Sequence, residues 1–349
     1  MEKAFLAMML AFIVALVLTP VVKSLAFRVG AVDNPEQRKV HKKIMPRMGG
    51  LAIYLGFIGA VLTTQPLTNQ IIGLLLGGTI IVVIGIADDI VGLQPKVKLL
   101  GQIVAASVLV LFGIGVEFVT NPFDGMISLG ILSIPFTILW IVGVTNAVNL
   151  IDGLDGLAGG VTAIAATTLA VVAWTEGQTL YATCALILAA STMGFLKYNF
   201  YPAKIFMGDT GSMFLGFNLA TLAVLGLGKG ATVISLFIPI VILGIPILDT
   251  AFAIVRRYMK NQPIFKADKE HLHHCLLAVG LSHKQTVLVI YGLNSILGAS
   301  AVMLTMLTTA QAVMILLILF TGIVLGAEKI GVVGTRAIES TGKTYVSGK

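Results

Sequence analysis

Charge is scarce in this chain. Only 11% of its 349 residues are Asp, Glu, Lys or Arg, against about 25% in an ordinary soluble domain. With 57% of residues hydrophobic and a mean hydropathy of +0.99, there is too little polar surface to coat a water-soluble globule. Cysteine is rarer still. The two present, Cys184 in an apolar run and Cys275 in a basic stretch, exclude a disulfide-stapled scaffold. No internal repeat is visible. The apolar run 4–22 is too long for a signal-peptide core and lacks a basic leader and a clear cleavage site, so it is read as a retained span.

What is abundant points the same way. Glycine supplies 38 of 349 residues, above the usual ~7%, which suits helices that approach closely through small side chains. Apolar windows of about 19 residues recur at 4–22, 49–65, 70–87, 99–118, 131–149, 157–174, 180–196, 211–228, 231–251, 285–306 and 310–327. The expectation is an all-α, polytopic membrane protein with about 11 transmembrane helices. Residues 1–327 would form one transmembrane domain carrying the chemistry in its cytoplasmic loops, and 328–349 a polar tail. Of 23 Lys and Arg, all but Lys3 and Lys229 fall in the loops 23–48, 88–98, 197–210 and 252–284 or after Ala327. The positive-inside rule puts that side in the cytoplasm, with the N-terminus outside and the C-terminus inside. The loop 119–130 is the one long outer loop, and its Asn121-Pro122-Phe123-Asp124-Gly125 reads as a turn.

Five aspartates, Asp88, Asp89, Asp152, Asp155 and Asp209, lie against the ends of apolar segments on that basic side. A carboxylate at the bilayer centre costs roughly 2.5–3.5 kcal/mol on insertion scales, so these acids either face water or hold a cation. The adjacent pair Asp88-Asp89 repels itself unless a cation is near, and Mg²⁺ takes one or two carboxylates together with substrate phosphates. Lys96 and Lys98 follow a few residues on, placed to meet such phosphates. The bland alternative is a solvated helix end.

Asn146-Ala-Val-Asn149-Leu-Ile-Asp152-Gly-Leu-Asp155-Gly-Leu-Ala-Gly-Gly160 is the most specific stretch. Its three-residue spacing would set Asn146, Asn149 and Asp152 on one helical face. Gly153, Gly156, Gly159 and Gly160 would then break the helix, as is tolerated at membrane depth beside an aqueous cavity. Further on, Asn199 and Phe206-Met-Gly-Asp209-Thr-Gly join two spans, with Asp209 at a helix start and Phe206 offering a flat face for a base. There the plainer alternatives are an N-cap and interfacial packing. His271-Leu-His273-His274-Cys275 lies in the largest loop, after Arg256 and Arg257. Adjacent donors on so short a segment cannot all converge on one tetrahedral zinc, so contact with phosphate or nucleotide is the favoured expectation. Before the second span, Arg38-Lys39-Val-His41-Lys42-Lys43-Ile-Met-Pro46-Arg47-Met-Gly-Gly50 reads as a basic loop ending in a shaped turn.

In this order and spacing, RKVHKKIMPRMGG, ADDIVGLQPKVKLLGQ, NAVNLIDGLDGLAGG, FMGDTGS and HLHHCLLAVGLSHKQT resemble the polyprenyl-phosphate N-acetylhexosamine-1-phosphate transferases. The resemblance runs from Arg38 to His283. It implies a Mg²⁺-dependent (Mn²⁺ also serving) membrane enzyme of the bacterial cytoplasmic membrane with its active site on the cytoplasmic face. Such enzymes move a sugar-1-phosphate from a UDP-sugar to undecaprenyl phosphate and release UMP.

By the same resemblance Asp209 matches the metal ligand, and Asp88 and Asp89 the catalytic acidic pair, candidates for base towards the lipid phosphate. Phe206 and Asp155 match positions that hold uracil. Asn149, Asp152 and Asn199 match polar residues of the cleft, and Lys98 a phosphate-contacting lysine. His271, His273 and His274 match the histidine box, and Arg257 a loop arginine needed for the nucleotide-sugar. One branch, which uses the phospho-MurNAc-pentapeptide donor, typically carries Thr-Pro-Thr-Met-Gly-Gly and three consecutive histidines. This chain has Met45-Pro46-Arg47-Met48-Gly49-Gly50 and a leucine inside its histidine box. It is closer to the branch that starts teichoic acid, O-antigen and similar polymers from UDP-N-acetylglucosamine. Expected partners are therefore that donor, undecaprenyl phosphate and membrane lipid, with no nucleic acid; a homodimer is left open. The rival class is a cation-coupled transporter, whose acids cluster near the midplane between repeats.

Overall fold

The computed structural model describes residues 2–34, 44–120, 126–226, 237–259, 261 and 271–330. The basic stretch 35–43, the expected turn at 121–125, the loop 262–270 and the tail from 331 lie outside the described residues. Thirteen α-helices are described: α1 (Glu2–Val29), α2 (Gly50–Thr64), α3 (Asn69–Val91), α4 (Pro95–Leu111), α5 (Ser133–Leu150), α6 (Leu157–Thr175), α7 (Thr179–Asn199), α8 (Gly208–Gly226), α9 (Phe237–Ile242), α10 (Gly244–Met259), α11 (Leu272–Ala278), α12 (His283–Leu304) and α13 (Thr309–Ile330). A 3₁₀ turn at Gly130–Leu132 and two short antiparallel strand pairs complete the described elements. One pairs β1 (Val32–Asp33) with β2 (Met45–Pro46), and the other pairs β3 (Phe118–Thr120) with β4 (Met126–Ser128).

The chain is an all-α polytopic membrane protein. Seven helices, α1, α3, α5, α6, α7, α12 and α13, are long and apolar enough to cross a bilayer, and α2 is a shorter apolar helix. Large apolar side chains such as Phe5, Val17, Leu111, Leu139 and Ile318 stand exposed on the bundle's outside, as lipid requires and water would not tolerate.

Local chemistry sets the helix ends. The Thr68 side chain accepts a hydrogen bond from Ile71 N, and Gly92, in the left-handed region, closes the far end of α3. Pro95 at the first position of α4 restarts the helix three residues later. Ser282 and Gln285 form a capping box on α12.

Helix α8 runs through the middle, packed against α3, α5, α2 and α6, and is buried along nearly its whole length. Close backbone approach makes this possible. A Cβ on Gly50 would stand 2.0 Å from the Gly211 Cα, and one on Gly85 would stand 2.4 Å from the Thr210 Cα.

Two helix boundaries differ from the apolar windows. In the ninth apolar segment, 231–251, α9 stops at Ile242 and α10 begins at Gly244, with Leu243 alone between them. Pro246 has no N–H to donate to the Ile242 carbonyl, so continuous helical bonding fails there. The last helix also continues to Ile330, three residues past the end of its apolar window at 327.

Candidate active site

Three helix ends converge on a carboxylate cluster. Asp88 and Asp89 sit in the last turn of α3, Asp209 in the first turn of α8 and Lys98 in the first turn of α4. One oxygen of each acid falls within 4.8 Å of the others. The Lys98 ammonium bridges two of them, with Nζ 2.7 Å from Asp209 Oδ2 and 3.4 Å from Asp88 Oδ2.

The adjacent acids do different work. Asp89 is 2% exposed. Its Oδ1 accepts from Asp209 N at 3.0 Å, and its Oδ2 accepts from Thr210 N at 3.1 Å and Thr210 Oγ1 at 2.6 Å. The first N–H groups of a helix have no partner within it, and here a carboxylate from α3 serves those of α8. Gly208 makes the approach possible, having φ +72° and no Cβ, which would lie 2.4 Å from Asp89 Oδ2. Asp88 turns its Oδ1 to Leu93 N at 2.7 Å and its Oδ2 to Lys98. Arg47 closes the opposite end of the relation. Its Nε and Nη2 donate to the carbonyls of Asp89 and Asp88 at 3.2 and 3.1 Å, serving the unpaired Asp89 acceptor in the last turn of α3 and adding a second donor to the Asp88 carbonyl, which also accepts from Gly92 N at 2.8 Å. The Pro46–Met207 register that carries Arg47 there uses Phe206 N to Pro46 O (2.8 Å) and Gly49 N to Phe206 O (3.0 Å).

Beyond the cluster, Asn149 donates to Ser212 Oγ at 2.8 Å, one turn past Asp209. Below it Asn146 and Gln102 exchange amide hydrogen bonds at 2.6 and 3.3 Å, joining α5 to α4. The expected common face of Asn146, Asn149 and Asp152 holds for the two asparagines only. Helix α5 ends at Leu150, leaving Asp152 in the connection to α6. Gly153 and Gly156 lie in that break, whereas Gly159 and Gly160 are inside α6, where Gly160 leaves room for the Tyr291 ring.

Asp155 and Asn199 hold this connection in place. Asp155 Oδ2 accepts from Ala203 N at 2.9 Å, while the Asn199 side chain accepts from Gly156 N at 3.2 Å and donates to Ile205 O at 3.0 Å. The Asp152 carboxyl is pushed up to about 7, first by burial and then by the charges of Asp209, Asp89 and Asp155.

The histidine box meets the same connection from the other side. A Cβ on Gly153 would stand 2.6 Å from His273 Nε2, so the ring rests on bare backbone there. His273 stacks on His271 at 6.0 Å and 4° and leans on His274 at 4.2 Å. Burial, then the neighbouring His274, pushes His273 down to about 4, so near neutral pH it offers a hydrogen bond rather than a positive charge. Arg257 lies in the last turn of α10, roughly 12 Å along the axis from Asp249 at the usual helical rise.

Three residues that the sequence reading left out of the site take part. Arg47 is one; Tyr291, whose hydroxyl donates to Gly156 O, is another. The third is Asp249, buried in α10 and paired with His271. A carboxylate inside an apolar run is the signal that would have found it.

Three clustered carboxylates with a lysine are hard-oxygen chemistry that fits Mg²⁺ or Mn²⁺. Fold and site together define a polytopic membrane protein with a polar cluster, of a kind that could hold a divalent cation, where its helix ends meet. The chain belongs to glycosyl transferase family 4, whose model matches residues 71–227. It is 47% identical over 342 residues, 96% of each chain, to the probable undecaprenyl-phosphate N-acetylglucosaminyl 1-phosphate transferase of Bacillus subtilis (strain 168). To the decaprenyl-phosphate N-acetylglucosaminephosphotransferase of Mycobacterium tuberculosis (strain ATCC 25618 / H37Rv) it is 38% identical, over 77% of this chain and 74% of that one. A phospho-N-acetylmuramoyl-pentapeptide-transferase of Thermoanaerobacter sp. (strain X514) is more distant, at 32% over 78% and 90%.

Proposed function

We propose that this protein transfers N-acetylglucosamine-1-phosphate from UDP-N-acetylglucosamine to undecaprenyl phosphate, giving the lipid-linked diphosphate sugar and UMP. The observation that carries the reading is the near-full-length identity to the Bacillus transferase, in a chain whose acids and Lys98 gather at one end of the bundle. A lipid phosphate oxygen attacks the β-phosphorus of the donor, the bond from that phosphorus to the α–β bridging oxygen breaks, and UMP leaves. Asp209 with Asp88 would hold the divalent ion, which when bound neutralises charge on the phosphoryl oxygens. Lys98, already between those two acids, turns to the phosphates as they arrive. Asp89 and Arg47 hold the ends of α8 and α3 in register, Asn149 and Asp152 line the cleft, Phe206 and Asp155 face the base, and Arg257 with the histidine box closes on the nucleotide-sugar.

The site is read on the cytoplasmic face of a bacterial cytoplasmic membrane, with eleven crossings, the N-terminus outside and the C-terminus inside. Support for this comes from 21 of 23 basic residues lying on the site's side. The product would start an envelope polymer such as teichoic acid. Purified protein incubated with undecaprenyl phosphate, Mg²⁺ and a panel of radiolabelled UDP-sugars tests the reading. Labelled lipid and UMP should form from UDP-N-acetylglucosamine and vanish with EDTA. Sodium-driven uptake into proteoliposomes, without UMP release, would put the chain among transporters instead.

A further inference from the structure

We infer that Asp249 is a positioning residue for the histidine box, fixing the tautomer of His271 and, through it, the seat of His273 on the Asp152 connection. The inference rests on the transfer reaction proposed above. Asp249 is 4% exposed and His271 6%, so this carboxylate and this imidazole are withdrawn from water together. An isolated buried carboxylate is costly unless its oxygens are filled. Both are, by the box alone: Oδ2 lies 2.8 Å from His271 Nδ1 and Oδ1 accepts from Leu272 N at 2.7 Å. Among the described residues, Asp249 thus grips both the side chain that opens the box and the backbone that follows it.

A carboxylate is an acceptor only. Opposite Asp249, Nδ1 of His271 must carry the proton, whether the ring is neutral or charged. In the neutral ring Nε2 is then an acceptor, the arrangement by which a buried Asp fixes a catalytic imidazole. The consequence passes along the box. His273 lies parallel to His271 and against Gly153, one residue from Asp152. Asp249 therefore links α10 to the connection that carries two of the cleft's acids. This pairing is separate from the Asp88–Asp89–Asp209 cluster and shares none of its hydrogen bonds.

The test combines a substitution with a spectroscopic readout that does not depend on turnover. Asp249→Asn keeps shape but turns an amide N–H or a weaker acceptor towards His271. It should lower kcat at least tenfold with the KM for UDP-N-acetylglucosamine within twofold. In ¹⁵N-histidine-labelled protein in detergent, His271 should be protonated on Nδ1 in the wild type and shift towards the Nε2–H form in Asp249→Asn. His271→Gln, which retains a donor towards Asp249 and similar bulk, should lose activity as well. Should Asp249→Asn not fold, the wild-type spectrum and His271→Gln decide. A neutral wild-type ring protonated on Nε2 alone, or wild-type kcat in either folded variant, overturns the inference. A wild-type protein that releases no UMP while showing the Nδ1–H ring would defeat the transfer reading and leave the Asp249 geometry standing.

Discussion

Thr210 gives Asp89 two hydrogen bonds to one oxygen, from its backbone N–H at 3.1 Å and its hydroxyl at 2.6 Å, across 121 residues of sequence. The Asp89 carboxylate is thereby a cap for α8, borrowed from α3, and the geometry of Asp209 depends on it.

Asp89→Asn should therefore lower turnover about 10²-fold or more, because an amide cannot accept all three hydrogen bonds. Thr210→Val removes one bond to a charged group, worth about 1.5–3 kcal/mol, and should lower turnover about tenfold. The two act through one contact, so the double variant should be no slower than Asp89→Asn alone. Independent, multiplying losses in the kinetics of folded protein would mean that Asp89 acts on substrate instead.

Asp209 is the better exposed of the two candidate metal ligands that Lys98 bridges, at 25% of its side chain against 9% for Asp88. Asp209→Asn should raise the Mg²⁺ concentration for half-maximal activity most, by about 10–100-fold, the range expected for weakening a metal site's ligand set. Asp88→Asn should mainly lower kcat. An unchanged Mg²⁺ dependence in Asp209→Asn, measured as UMP release, would remove Asp209 from the metal site.

Much of the candidate site is legible in the sequence because its residues stand in runs. The acids of 88–89, 152–155 and 209 and the box at 271–274 each announce themselves by composition at the edge of an apolar segment. What those residues do for one another is not. Asn146 and Asn149 share a face as their spacing implies, but Asp152 does not, because α5 gives out at Leu150. Asp249 was absorbed into an apolar window, and its partner His271 comes 22 residues later in a different helix-loop context. Arg47 finds its acceptors 41 and 42 residues away, on last-turn carbonyls that are open to it only because α3 ends there. Pairings of this kind depend on tertiary contact, and no window on one sequence contains both members.

Asp152 should make stability depend on pH in metal-free protein. Its folded-state value of about 7 is raised from 3.8, so the folded protein binds the extra proton between about pH 4 and 7. Stability then falls as pH rises through that window and levels off above it. Asp152→Asn removes the term, so in EDTA the variant should melt higher than wild type at pH 8, by about 2–4 °C for each kcal/mol gained. The two curves should converge near pH 4. Equal melting temperatures at pH 8 would show that the carboxylate is solvated rather than held among its neighbours.

The basic-residue asymmetry is open to direct chemical test. With Cys184 and Cys275 replaced by serine, single cysteines at Gln178 and Lys229 should react with an impermeant thiol reagent added to intact cells. One at Lys269 should react only after lysis. The opposite pattern would invert the protein and carry the cleft to the outer surface.

Donor choice is where sequence and geometry pull apart, and the structure suggests which of the two motif departures matters. Arg47 stands where the pentapeptide branch typically has threonine, which invites reading it as a selector of the sugar. Its guanidinium instead caps the α3 carbonyls of Asp88 and Asp89, and its Nε lies 3.9 Å from Asp89 Oδ1. A group so committed serves the acid pair, whichever sugar is bound. Arg47→Thr should thus slow transfer from UDP-N-acetylglucosamine about 10–100-fold, matching about 1.4–3 kcal/mol for losing its charged hydrogen bonds. It should not open the site to UDP-MurNAc-pentapeptide, because discrimination would lie with Arg257 and the histidine box. Arg257→Ala should correspondingly raise the KM for UDP-N-acetylglucosamine or abolish turnover in folded protein. Both donors at equal concentration, offered to wild type and Arg47→Thr, decide the matter. Measurable pentapeptide transfer by the variant alone would make Arg47 the selector after all.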